Sequence, residues 1–139
     1  MTNQPGDVDQ ANRDLVERFF EASERGDSDA LGSMVDDATV MEWPQSGERF
    51  RGREHILAAM AAVEVKPEFA GTPRLIGSGP IWVLMVPLRY GEDILQYAAI
   101  VELEHGLIRR ATGFWGAPFA APAARAAFVD HVREGEPPG

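Results

Sequence analysis

Glu42 is the residue whose setting most invites chemistry, because Val40, Met41 and Trp43 surround it with apolar side chains before Pro44, Ser46 and Gly47 turn the chain back. A carboxylate withdrawn from water holds its proton more tightly, which moves it toward the range of a general base. The competing reading is an ordinary ion pair, since Arg49 and Arg51 lie just across the predicted hairpin. Spacing alone leaves both open. Trp43, Trp82, Trp115 and Tyr97 could line an aromatic pocket, although large aromatics at strand spacing also build cores and interfaces. The remaining polar residues offer less. His55 falls in the first turn of a helix, His105 precedes Gly106 in a turn and His131 sits near the end, so no pair stands at metal-ligand spacing. Ser46 has no histidine nearby to activate it, and the "GSGP" stretch lacks the helix and lysine of a phosphate loop.

Composition narrows the function classes. A chain of 139 residues with 45% hydrophobic content supports one domain with a real core. The formal charge of -9 opposes binding to nucleic acid or an anionic membrane, and leaves small neutral or cationic molecules as the fitting partners. The absence of cysteine removes disulfides, thiolate nucleophiles and cysteine zinc sites. The polar start "MTNQPGDVDQ" carries no apolar signal segment, so a cytoplasmic location is expected.

The elements that must position Glu42 follow from periodicity. Residues 1–10 and 133–139 are too polar to pack and are read as flexible tails around a single domain over 11–132. Leu15, Val16, Phe19 and Phe20 recur at helical spacing up to Gly26, a C-terminal cap. Asp27 or Ser28 caps a short second helix that carries Leu31, Met34 and Val35. Thr39 to Trp43 reads as a strand, Arg49 to Arg51 as its returning arm, and Arg53 to about Val63 as a third helix. Arg74 to Ser78, Ile81 to Tyr90, Ile94 to Glu104 and Leu107 to Trp115 form an antiparallel meander, and Pro122 to Val132 a closing helix. The fold class is α+β, with helices gathered on one face of a curved sheet.

On the strand Ile94 to Glu104 one face carries Leu95, Tyr97, Ala99, Val101 and Leu103, and the other Ile94, Gln96, Ala98, Ile100 and Glu102. Three helices cannot cover both sides of such a sheet. The more uniformly apolar face is therefore expected to form the outer face of a homodimer, and the mixed face to look inward. There the small residues Ala98, Ala111 and Gly113 would leave a cavity closed at one end by Trp115.

The element order, with "ERFFEASERGDSDALGSMVDDATVMEW", "RGREHILAAM" and "YAAIVELEHGLIRRATGFWGAPFAAP", resembles the SnoaL-like, polyketide cyclase-like branch of the nuclear-transport-factor-like superfamily. Ketosteroid isomerase, scytalone dehydratase and limonene epoxide hydrolase belong to the same superfamily. The resemblance implies a cystatin-like, ketosteroid isomerase-like α+β barrel: a cone in which a curved antiparallel sheet wraps helices, open at one end to an apolar pocket and often dimeric. Laid against ketosteroid isomerase, "DDATVME" sets Glu42 at the general-base position, but Phe19 replaces the oxyanion-binding tyrosine and Ile100 the protonated aspartate. Losing such donors costs about 3 kcal/mol or more of transition-state stabilisation, which argues against steroid isomerisation by that mechanism. The acid–arginine–acid set of the epoxide hydrolases and the histidines of the dehydratase have no counterparts at matching places.

The expected pocket takes Phe19, Val40 and Met60 from the first half of the chain, and Val86, Gln96, Ile100, Gly113 and Trp115 from the second. In it Glu42 would act as the base of a cofactor-free isomerase, cyclase or lyase on a hydrophobic carbonyl compound, with Gln96 or the Trp115 indole as polar partner. The alternative is a non-catalytic module of the same fold that binds a hydrophobic small molecule or dimerises.

Overall fold

The computed structural model describes residues 5–130. Helix α1 spans Pro5–Arg25 and buries Leu15, Val16, Phe19, Phe20 and Ala22 along one stripe. It starts within the stretch expected to be a tail. Asp9 accepts from the Gly79 N–H at 2.7 Å and Asn12 donates to the Gly79 carbonyl at 2.8 Å, so its first turns are pinned to a hairpin of the sheet. Gly26, at φ +68°, ends the helix, and the Asp27 N–H reaches back to the Ala22 carbonyl at 2.9 Å. Asp27 then caps α2, Ser28–Ser33, through the Ala30 N–H.

Strands β1 (Val40–Trp43) and β2 (Glu48–Arg51) form the expected hairpin, followed by α3, Gly52–Ala61. The two-residue β3 (Glu68–Phe69) and β4 (Arg74–Ser78) both pair with β5 (Ile81–Tyr90), which continues into β6 (Asp93–Glu104) and β7 (Leu107–Gly116). The order β2-β1-β7-β6-β5-β3 makes one curled, open sheet in which the β1–β7 pair alone is parallel. After β7 the chain differs from expectation. Instead of a helix from Pro122, a 3₁₀ turn covers Ala123–Phe128, and every residue over 116–130 is exposed. Its alanines offer no apolar stripe to pack, and propensity alone does not hold so short a helix. His131 and Val132 lie outside the described residues.

The two faces of β6 exchange the roles read from the sequence, while Ala111, Gly113 and Trp115 of β7 stay on the inner face as expected. Tyr97, Ala99, Val101 and Leu103 face the helices, while Gln96 and Ile100 point outward and are exposed. Burying Gln96 and Glu102 beneath α1 would desolvate an amide and a carboxylate at about 1–3 kcal/mol or more each, whereas a buried leucine or valine contributes about 1.5–3 kcal/mol. The register carries the same information. Leu103 pairs with Ile108, but Glu102 pairs with Arg110, so Arg109 is an extra, bulged residue. An unbulged hairpin would set Ala98 opposite Gly113; the bulge sets Ala99 there instead. The Arg109 guanidinium lies 3.2 Å from Glu104 and 3.3 Å from Asp36, tying the bulge to the α2–β1 connection.

Thr39 fixes the same corner. Its buried hydroxyl donates to the Ile108 carbonyl at 2.6 Å and accepts from the Asp36 N–H at 3.0 Å. Thr39→Val keeps the shape but leaves both backbone groups without this partner, so stability should fall by about 2 kcal/mol. Urea unfolding with an unchanged m-value would show it, and a change below roughly 0.5 kcal/mol would mean that the hydroxyl does not hold the corner.

Candidate functional site

A cavity of about 110 Å³ lies between α1, α3 and the inner face of the sheet. Phe19 and Phe20 reach it from α1, Met60 from α3, and Met41 and Trp43 from β1. Leu88, Tyr90 and Tyr97 come from β5 and β6, and Ala111, Gly113 and Trp115 from β7. The rim toward solvent is made by Ser23, Glu24, Val63, Lys66, Pro67 and Phe69. Its polar groups are engaged with backbone: Glu24 accepts from the Phe69 N–H at 2.6 Å, Lys66 donates to the Met60 carbonyl at 2.8 Å, and Ser23 donates to the Phe19 carbonyl at 2.8 Å.

Trp115 organises the interior. The Gln45 side chain donates to its carbonyl and accepts from its N–H, pairing with it as a strand would just beyond the end of β1. Its indole stacks on Tyr97 at 4.9 Å and 12°, meets Trp43 edge-on at 5.5 Å, and donates its N–H to the Tyr90 hydroxyl at 2.8 Å. Gly113 makes room for this stack, since a Cβ there would sit 3.0 Å from the Tyr97 hydroxyl and 3.3 Å from the indole. Burial pushes both phenols above their ordinary pKa. For Tyr97 the nearby Tyr90 adds to the rise, and for Tyr90 the Trp115 hydrogen bond partly offsets it.

Glu42 is elsewhere. Because Met41 and Trp43 line the cavity, alternation turns Glu42 to the opposite, outer face of β1. There Arg110 donates to its carboxylate, Arg49 approaches within 3.6 Å, and Arg110 also lies 3.6 Å from Glu102. The ion-pair reading therefore describes its surroundings, with Arg110 in place of Arg51. Phe19, Met60, Gly113 and Trp115 from the expected pocket do meet around the cavity. Val40, Gln96 and Ile100 instead belong to the outer face, the last two through the face exchange of β6, and Val86 is inward but packed in the core next to the cavity. Trp82, expected as an aromatic liner, is buried away from the site and donates to the Gly79 carbonyl at 2.9 Å. Tyr90, Phe20, Met41 and Leu88 were missing from the expected set. The inward Met41 and Trp43 follow from the same alternation that sends Glu42 out, and Leu88 and Tyr90 follow from the alternation that turns Val86 inward on β5.

The SnoaL-like domain model matches residues 16–111. The chain belongs to the SnoaL-like family. Among solved structures, this SnoaL-like chain is similar to an NTF2-like protein of unknown function from Burkholderia xenovorans LB400, with 29% identity, 89% of this chain and 97% of that one covered, and a TM-score of 0.77. A candidate ketosteroid isomerase from Kribbella flavida DSM 17836 aligns at 24% identity over 92% and 94% with a TM-score of 0.83. An LEH-like epoxide hydrolase from M. tuberculosis aligns at 19% over 77% and 84% with a TM-score of 0.61. At those last two identities the likeness is one of fold. None of the curated proteins matches this chain. Among the described residues no helix is long and apolar enough to cross a membrane.

The chain's two tyrosines both lie in this SnoaL-like pocket, which makes their ionisation a direct readout. A raised folded-state pKa means that the stability it contributes is fully present below the unfolded value of about 10 and is lost as pH rises above it. Tyrosinate absorbance should thus rise at higher pH in the folded protein than in the urea-unfolded chain. Ionisation of either phenol near pH 9 in the folded protein would contradict the buried geometry.

Proposed function

We propose that this SnoaL-like domain is a binding module for a small apolar molecule, held in the aromatic cavity without acid–base chemistry by Glu42. The observation that carries this reading is the alternation along β1, which gives Met41 and Trp43 to the cavity and Glu42 to the arginines outside. Size sets the ligand class. An apolar cavity of about 150 Å³ accommodates benzene, whereas drug-sized ligands occupy about 300 Å³ or more. A cavity of about 110 Å³ with an open rim therefore suits a one-ring molecule better than a steroid. Thermal unfolding with a panel of one-ring hydrocarbons and ketones tests this. A binder at a hundred times its Kd contributes about 2.7 kcal/mol, or a rise in Tm of about 9 °C. The Glu42→Gln variant should show the same rise. No shift from any member of the panel would defeat the reading, and a shift lost in Glu42→Gln would return the acid to the site.

We propose further that the outer sheet face joins a second copy of the chain. Ile76, Ile81, Ile100 and Phe114 are all 39–51% exposed on that face, and the apolar Phe119 and Phe128 stand exposed in the segment after β7. Contiguous apolar surface of this kind marks an interface. The protein should elute as a dimer by light scattering, and Ile100→Asp should make it monomeric with its fold retained. A monomeric parent protein would rule the interface out.

A further inference from the structure

Among the described residues lining the cavity, Tyr97 carries the hydroxyl that makes no hydrogen bond in either direction. The rim groups Ser23, Glu24 and Lys66 are bonded to backbone, and Tyr90 is held by the Trp115 indole, from which it accepts while its own O–H stays free to donate. The Tyr97 ring is fixed on both sides, stacked on Trp115 and meeting Phe20 edge-on at 6.2 Å, so its hydroxyl has a defined direction over Gly113. Among the described residues no side chain or backbone group hydrogen-bonds that hydroxyl. No side-chain oxygen or nitrogen there is both fully buried and unpartnered, so the Tyr97 hydroxyl reaches the open space of the cavity it lines. Water reaching the open cavity can accept from this hydroxyl, so a ligand that displaces the water must itself offer an acceptor or leave the phenol unsatisfied against apolar walls.

Building on the pocket reading above, we infer that Tyr97 determines specificity: its hydroxyl donates to a neutral oxygen acceptor, so the ligand is a small aromatic or alicyclic carbonyl compound rather than a hydrocarbon. The raised pKa supports a donor role, because the phenol keeps its proton throughout the neutral range. A carboxylate ligand fits poorly, since its desolvation in these apolar walls would need a cation, and Lys66 sits at the rim. Tyr90 takes a different part. By accepting from Trp115 it fixes the indole on which Tyr97 stacks, which makes it a positioning residue.

Acetophenone and ethylbenzene separate the two claims, because they share shape and differ by a carbonyl in place of a methylene. Calorimetry should give acetophenone about five- to tenfold the affinity of ethylbenzene in the parent protein. In Tyr97→Phe that ratio should fall to about one or below while ethylbenzene binding stays within about twofold, and Glu42→Gln, altered on the outer face, should keep the preference. The carbonyl stretch of bound acetophenone should lie at lower frequency in the parent protein than in Tyr97→Phe. If neither probe binds the parent protein, the pocket reading itself fails. If both bind equally, or if the preference survives in Tyr97→Phe, the pocket stands and the role of Tyr97 is overturned.

Discussion

Between Glu102 and Leu103 the ladder of β6 with β7 slips by one residue, and most of the functional geometry depends on that slip. Beyond it, every side chain of β7 faces the opposite side from the one an even hairpin would give it. Ala99 comes opposite Gly113, and Tyr97 opposite Trp115, so two small residues and two aromatic rings share the inner face. The slip costs the regular pairing of Arg109. That cost is offset by the arginine's contacts with Glu104 and with Asp36, whose carboxyl is held below its usual range by the Ala38 N–H and by Arg109, against some desolvation. Thr39 closes the same corner from β1.

The cavity follows from size mismatch on that face. Ala111 and Gly113 cannot fill the space beneath Phe19, Phe20 and Met60, and the Tyr97–Trp115 stack is held too firmly to collapse into it. Close packing elsewhere makes the gap specific to this end: Val16, Val101 and Ile108 are completely buried toward the other. Trp115 receives support from Gln45, Tyr90, Trp43 and Tyr97 together, so this wall of the cavity is braced from several sides.

On the outer face charge and hydrocarbon are sorted. Glu42, Arg49, Arg110 and Glu102 form a linked set on β1, β2, β7 and β6, next to an apolar area around Ile100 and Phe114. A carboxylate flanked by hydrophobic residues in sequence is thus satisfied by arginines brought from across the sheet. Its neighbours at positions 41 and 43 are apolar because they serve the other face.

Much of this was written in the sequence. Periodicity and capping signals located α1 to α3, the β1–β2 hairpin and the long strands, and "DDATVME" with the element order pointed to the SnoaL-like family, because these signals depend on neighbouring residues alone. The His105–Gly106 turn was legible for the same reason, and both its residues take positive φ. What faces what was not. A strand with two partly apolar faces does not declare which one meets the helices, and a single bulged arginine reverses the answer downstream. The ion pairing of Glu42 with Arg110 spans 68 residues and the Trp115–Tyr90 hydrogen bond 25, so both exist only after the sheet has closed around its register. Tertiary structure therefore decided the outward turn of Glu42 and the inward turn of Tyr97, because burial free energy, summed over a whole face, selects a side that no local pattern encodes.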